Sequence, residues 1–339
     1  MIERPAGAER IAARSDRDLY VLVEEFFETS FSTDNAVITE AVRRMLAAGG
    51  KRLRPRLTLL AAESSGADAR EHLPLAAYME LIHVGTLIHD DVVDRAETRR
   101  GVNATAVDYG NRVSVLAGDY LFAWIFKNVT ANYPAPIPHI LSSTLADITD
   151  GEVLQLRASG RLDLSIPEYI EIVIKKTATL FAASAECGAI MAGAQPLRVK
   201  ALRDFGLHYG IAFQMLDDLL DLTASEAELG KPVGNDLLER KMTIPLILAL
   251  EAGEPEFREA LARFYGGADG ELASQGQGHI AKLVAGVWSN GGFAKTRDLI
   301  AVHLERAKLS LKPLGSAPAR SELAALADAL ARESAARTR

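Results

Sequence analysis

The sequence predicts an all-α protein, a single helical domain over residues 1–339, and three observations predict it. Only 6% of the residues are aromatic while Ala and Leu are abundant, a composition that favours helix over sheet. Apolar residues recur at helical spacing through the long segments. No strand pattern alternates with these segments, and no fixed-period repeat, low-complexity tract or shift in composition marks a linker.

Taken in order, the first helix follows Ser15, where Leu19, Leu22, Val23, Phe26 and Phe27 fall on one stripe with acidic residues between them. Gly49-Gly-Lys-Arg-Leu-Arg-Pro55 reads as a flexible turn meeting a helix start. The segment LIHDDVVD around Asp90 is apolar and helical apart from its aspartates. Pro134, Pro136 and Pro138 break the pattern, as does the turn before Pro196. Ser165-Ile-Pro-Glu168 has the form of a capping box and opens a helix through Ile170, Ile174 and Thr177. The β-branched run YIEIVI within it also suits a strand, and the cap decides for helix. FQMLDDLLD forms a second apolar helix carrying aspartates, and a glycine-rich break runs from Gly266 to Gly278.

Composition limits the function. With 48% apolar and 24% charged residues the chain has ample material for a buried core, which excludes disorder for most of it. Thirty-eight basic against 45 acidic residues give a net charge of −7, so no global positive field exists to hold nucleic acid or an anionic membrane. The lone Cys187 cannot form an intrachain disulfide, and the amino-terminal stretch lacks the apolar run of a secretory signal, so a cytoplasmic location is expected. The longest apolar stretches, such as Met242 to Leu250, fall short of the roughly 20 residues that span a bilayer.

Two acidic clusters carry the chemistry. Asp90 and Asp94 share a helix face with Asp91 beside them, and Asp217 and Asp221 repeat the arrangement with Asp218. Like charges at this spacing repel, and carboxylates in apolar surroundings are costly, so three in one turn call for cations. A single such cluster is weak evidence, because an exposed acidic turn or a set of surface ion pairs is its ordinary explanation; two such clusters suit two helices facing each other across a cavity. Hard oxygen donors favour Mg²⁺, which bridges carboxylates to substrate phosphates, and the expected ligand is a diphosphate. Basic residues supply the complement: Lys51, Arg52 and Arg54 in the glycine turn, Arg99 and Arg100 after the first cluster, Lys176 beside Thr177, and Lys231 and Lys241 after the second. Arg95 and Arg99 also suit simple neutralisation of the acidic turn, and His83 suits a hydrogen-bonded core position equally well.

With these residues in hand, the sequence resembles the trans (E-type) isoprenyl diphosphate synthases, also called polyprenyl synthetases. The resemblance runs from about Gly49 to Leu250 through GGKRLRP, ELIHVGTLIHDDVVDRAETRRG, SVLAGDYLF, DGEVLQL, KTATLF, FQMLDDLLDL and GKPVGNDLLERKMTIPLI. It implies a helical bundle around a central cavity and a set of ligands by position. Asp90 and Asp94, supported by Asp91, would bind the Mg²⁺ that holds an allylic diphosphate, with Asp217 completing the cluster and Asp218 and Asp221 beside it. Lys51, Arg54, His83 and Arg100 would hold isopentenyl diphosphate; Arg99, Lys176, Lys231 and Lys241 the allylic diphosphate; Thr177 and Gln214 the reacting end. Arg240-Lys241 departs from the Gly-Lys of many relatives, but the lysine is kept.

The implied reaction is head-to-tail 1′-4 condensation of isopentenyl diphosphate with an allylic diphosphate. Residues four and five positions before Asp90 lie one helical turn below it, and these are Thr86 and Gly85, neither a bulky aromatic. Only RAET separates Asp94 from Arg99. Both features resemble the long-chain branch, so a product of C35 to C50 is expected, with Phe122, Trp124 and Phe126 as candidates for a deeper floor or as ordinary core. The resemblance also implies a homodimer, a role in quinone side chains and transient membrane contact for product release. Rival readings are a short-chain synthase, a terpene cyclase, which would not need Lys51, Arg54 and Arg100, and a non-catalytic partner subunit.

Overall fold

Apolar spacing is realised as helix almost throughout. The computed structural model describes residues 16–99, 101–224, 234–266 and 276–337. Its helices are α1 (Asp16–Ser30), α2 (Ala36–Ala47), α3 (Leu53–Glu63), α4 (Leu73–Val93), α5 (Thr105–Tyr109), α6 (Asn111–Asn132), α7 (Pro136–Ala158) and α8 (Ile166–Val173). There follow α9 (Thr179–Met191), α10 (Pro196–Thr223), α11 (Asn235–Leu238), α12 (Ile244–Glu251), α13 (Pro255–Gly266), α14 (Gly276–Ser289), α15 (Gly292–Ser310) and α16 (Pro318–Ala336). Ser15, the side chain of Leu19 and most of the glycine-rich stretch after Gly266 lie outside the described residues. Among the described residues no helix is long and apolar enough to cross a membrane.

The predicted breaks are where helices stop. α6 ends just before Pro134, and α7 and α10 open on Pro136 and Pro196, whose missing N–H costs nothing in a first turn. At α8 the capping box is complete: the Glu168 N–H donates to Ser165 Oγ, and Ser165 N–H donates back to Glu168 Oε2 at 2.9 Å. The run YIEIVI is therefore helix, not strand. Between α8 and α9 the chain forms a π turn, Ile174–Ala178, which the sequence did not foretell. A two-stranded antiparallel hairpin, β1 (Thr98–Arg99) with β2 (Val102–Asn103), directly follows the first acidic cluster and was equally unforeseen.

Two apolar cores hold the bundle. One gathers α1, α2, α4, α6 and α7 around Phe31, Leu81, Ile82 and Leu121. The other surrounds α10 with α3, α9, α12, α15 and α16 around Phe181, Phe205 and Leu216. Each fully buried side chain of this size contributes roughly 1.5–3 kcal/mol. α10 lies very close to α9: a Cβ at Gly206 would sit 2.4 Å from the Phe181 carbonyl oxygen.

Candidate active site

A cavity of about 900 Å³ opens between α4 and α10. Asp90 and Asp94 line one wall and Asp217 the other, with Arg54, His83, Arg99, Lys176 and Lys241 around them. The apolar end is lined by Thr86, Leu87, Ile148, Ile172 and Phe213.

Charges within this space are strongly coupled. Burial pushes the Asp90 carboxyl up to about 6, and Glu152 and Asp94 add to that shift against the opposing pull of Lys176 and Arg99. Burial alone would lower Lys241, but Asp236, Asp94 and Glu239 reverse this and hold it above the ordinary lysine range. Its Nζ lies 3.5 Å from Asp94 Oδ2 and also pairs with Glu239. Lys176 pairs with Glu152 of α7.

Thr177 and Gln214 begin a hydrogen-bonded chain. Thr177 Oγ1 donates to Gln214 Oε1 at 2.8 Å, and Gln214 Nε2 donates to Asp218 Oδ1 at 2.9 Å. Tyr169 donates to Asp218 Oδ2 at 2.6 Å. A carboxylate can only accept, so Asp218 fixes the amide with its nitrogen turned away and its oxygen toward Thr177.

The six aspartates of the two clusters therefore divide. Asp90, Asp94 and Asp217 line the cavity with their neighbouring cations. Asp91 is buried behind the wall, with Oδ1 accepting from Arg99 Nε at 2.8 Å and Nη2 at 2.6 Å. Asp218, although at the cavity edge, spends its carboxylate on Tyr169, Gln214 and the Ile244 N–H. Asp221 is buried and accepts from the Asp236 N–H at 3.0 Å, which anchors the segment after α10.

The basic residues divide as well. Arg54 is 8% exposed and its guanidinium lies 4.4 Å from the Phe181 ring centroid. Lys51 is exposed and pairs with Glu333 of α16 at 3.3 Å, away from the cavity lining. Arg52 is buried against Glu24 and Glu80 in a left-handed conformation, φ 44°, and acts as a structural clamp for the turn. Arg100 and Lys231 lie outside the described residues. Arg240 has φ 55°, a conformation that glycine adopts without strain.

Below Asp90 the two helix positions also differ. Thr86 lines the cavity, whereas Gly85 is buried against α6, where a Cβ would lie 2.5 Å from Phe122 Cε1. Trp124 packs edge-on against Phe31 and Tyr78 and belongs to the core. Gln155, Tyr169, Asp236 and Glu239 line the cavity without having been singled out. Gln155 stands in the DGEVLQL stretch, whose polar residues at one helix face were the available signal.

Residues 35–279 match the family model described as Polyprenyl synthetase. The chain is 38% identical over 296 residues to a short chain isoprenyl diphosphate synthase of Methanothermobacter thermautotrophicus, covering 86% of this chain and 89% of that one. It is 35% identical over 298 residues to octaprenyl diphosphate synthase of Escherichia coli, covering 87% and 90%. Among solved structures, polyprenyl synthase from Caulobacter crescentus, complexed with calcium and isoprenyl diphosphate, superposes with TM-score 0.85 at 38% identity, covering 96% of each chain.

Proposed function

The chain belongs to the polyprenyl synthetase family and is a trans-prenyltransferase, and from that premise we propose that it condenses isopentenyl diphosphate with an allylic diphosphate to a long-chain all-trans product of C35 to C50. The observation that carries the reading is the pair of opposed acidic walls, Asp90 and Asp94 against Asp217, in one cavity with Lys176, Lys241, Arg54 and Arg99.

The donor set fits divalent metal. All three carboxylates are hard oxygen donors, and the half-buried Asp90 lacks full compensation from the cations around it. Mg²⁺ keeps several waters and is commonly held by one or two carboxylates together with substrate phosphates, an arrangement these carboxylates would allow. When bound, Mg²⁺ supplies Lewis-acid stabilisation of the negative charge that develops on the leaving diphosphate.

The chain's own residues do the rest. Lys176, Lys241 and Arg99 neutralise the allylic diphosphate as its C–O bond breaks and the electron pair leaves with oxygen. Arg54 and His83 orient isopentenyl diphosphate so that its double bond attacks the allylic carbon. Thr177 Oγ1 and Gln214 Oε1, already fixed by Asp218, present oxygen to the developing cation, and the apolar lining of Leu87, Ile172 and Phe213 keeps water from it. A proton is then lost to the departing diphosphate. No protein nucleophile is needed.

Thr86, a small side chain one helical turn below Asp90, supports the long-chain reading, as do relatives named octaprenyl and nonaprenyl diphosphate synthases. One observation favours a short product instead: the Phe122 ring fills the space beside Gly85. The reading extends to a homodimer through the exposed Leu116 and Tyr120 of α6, a cytoplasmic location and a role in quinone side chains. Incubating purified protein with farnesyl and isopentenyl diphosphates and Mg²⁺ and sizing the products tests it. Chains above C20 are expected; only C15 or C20 material would overturn the long-chain assignment.

A further inference from the structure

Outside the cavity lining, one contact carries the position of two of its residues. Lys176 and Thr177 stand in the π turn, where the Thr179 N–H donates to the Ile174 carbonyl instead of one residue nearer. Such a turn widens the helix by a residue and re-aims its side chains, and it persists only where its surroundings hold it. Here the surroundings are three consecutive residues of α7. A Cβ at Gly151 would lie 2.6 Å from the Lys176 backbone nitrogen and 2.9 Å from Lys175 Cβ, so only glycine admits the turn at this distance. On either side of it, Asp150 pairs with Lys175 and Glu152 pairs with Lys176.

The two pairs differ in setting. The Asp150 pair is half open to solvent, with side chains 54% and 28% exposed, and contributes little. In the Glu152 pair the side chains are 15% and 19% exposed, so this ion pair is less screened by solvent than that of Asp150, although it is not a directed hydrogen bond. Glu152 itself does not line the cavity, while Lys176 does.

We propose that Asp150-Gly151-Glu152 is a docking clamp for the π turn and that Glu152 is a positioning residue, holding the Lys176 ammonium ready for the allylic diphosphate and off the Asp90 carboxylate. The proposal rests on the function proposed above. Without Glu152, the anion left to draw Lys176 is Asp90, which shares the cavity lining with it and already feels its charge, and the lysine is lost to the diphosphate. Gly151 sets the same geometry through the backbone.

The test is a double-mutant cycle of Glu152→Gln and Lys176→Ala, with Gly151→Ala alongside. Each protein is assayed with farnesyl and isopentenyl diphosphates and titrated calorimetrically with inorganic pyrophosphate in the presence of Mg²⁺. Glu152→Gln is expected to lower kcat/KM for the allylic substrate about tenfold, the loss of one charge-assisted contact, and to weaken pyrophosphate binding in parallel. The KM for isopentenyl diphosphate stays within about twofold, since Arg54 and His83 are untouched. In the Lys176→Ala background Glu152→Gln should add nothing to either loss. Additive effects in the cycle, tighter pyrophosphate binding, or equal changes for both substrates would overturn the proposal. Gly151→Ala should lose more than Glu152→Gln; if it fails to fold, the cycle alone decides. A wild-type protein without turnover would overturn the proposed function and this inference together, whereas an active wild type with an unaltered Glu152→Gln would overturn this inference alone.

Discussion

Lys241 reaches from the segment behind α10 to Asp94 at the carboxyl end of α4, Nζ to Oδ2 at 3.5 Å, while also pairing with Glu239 of its own segment, and so bridges the two sides of the cavity through one cation. A metal and a diphosphate entering the cavity would meet this lysine as a partner for the phosphate and Asp94 as a ligand for the metal. Lys241→Met should therefore cut kcat/KM for the allylic substrate by about 10- to 100-fold with the KM for isopentenyl diphosphate nearly unchanged. Steady-state kinetics with each substrate varied in turn check this; a rise confined to the isopentenyl KM would place Lys241 in the other subsite.

Asp90 separates activity from stability. Its folded pKa of about 6 lies above the ordinary 3.8, so burial opposes its charge. In metal-free protein the stability this group contributes is complete below about pH 3.8 and is lost as pH rises through about 6. Asp90→Asn should thus be more stable than wild type at pH 8, by on the order of 1–3 kcal/mol, with the difference vanishing toward pH 4. The same variant should lose nearly all turnover. Thermal melts in chelator across pH, beside activity assays, measure both.

Chain length should respond to Thr86 more cleanly than to Gly85. Thr86→Phe adds a ring to the apolar end of the cavity and is expected to shorten the product with little loss of stability. Gly85→Phe collides first with Phe122 and should cost roughly 1–3 kcal/mol, recovered in large part by Phe122→Ala. Product sizing and melting of the three variants check this, and an unchanged length distribution in Thr86→Phe would remove that position from the account.

His303 of α15 faces His208 of α10 with the two Nδ1 atoms 3.2 Å apart. Burial, His208 and Arg306 lower the His303 pKa to about 4 from the ordinary 6.5. The sign is opposite to that of Asp90: the contribution is full above about pH 6.5 and is lost as pH falls toward 4. His303→Phe should flatten the acid side of the stability profile between these values. An acid limb identical to wild type would mean the pair is not its source.

Helix geometry alone was enough to place Asp90 and Asp94 on one face, and apolar flanks were enough to place Asp217 opposite. What it could not supply was the identity of distant partners. Asp91 is absent from the cavity lining because Arg99 comes back along the hairpin to pair with it, and Asp218, though at the cavity edge, has its carboxylate taken up because Tyr169 reaches it from α8. Lys51 sits beside Arg54 in the chain, yet the left-handed turn at Arg52 sends it outward to Glu333. The capping box at Ser165 was legible because both partners are local; the π turn was not, because Gly151, on another helix, makes room for it.

The most direct test of the opposed walls is a crystal structure with Mg²⁺ and a non-reactive thio analogue of an allylic diphosphate. The account predicts metal density shared between the diphosphate and Asp90 and Asp94 on one side and Asp217 on the other, with Lys176 and Lys241 on the phosphates. Diphosphate bound without metal contact to either wall, or metal held by one wall alone, would contradict it.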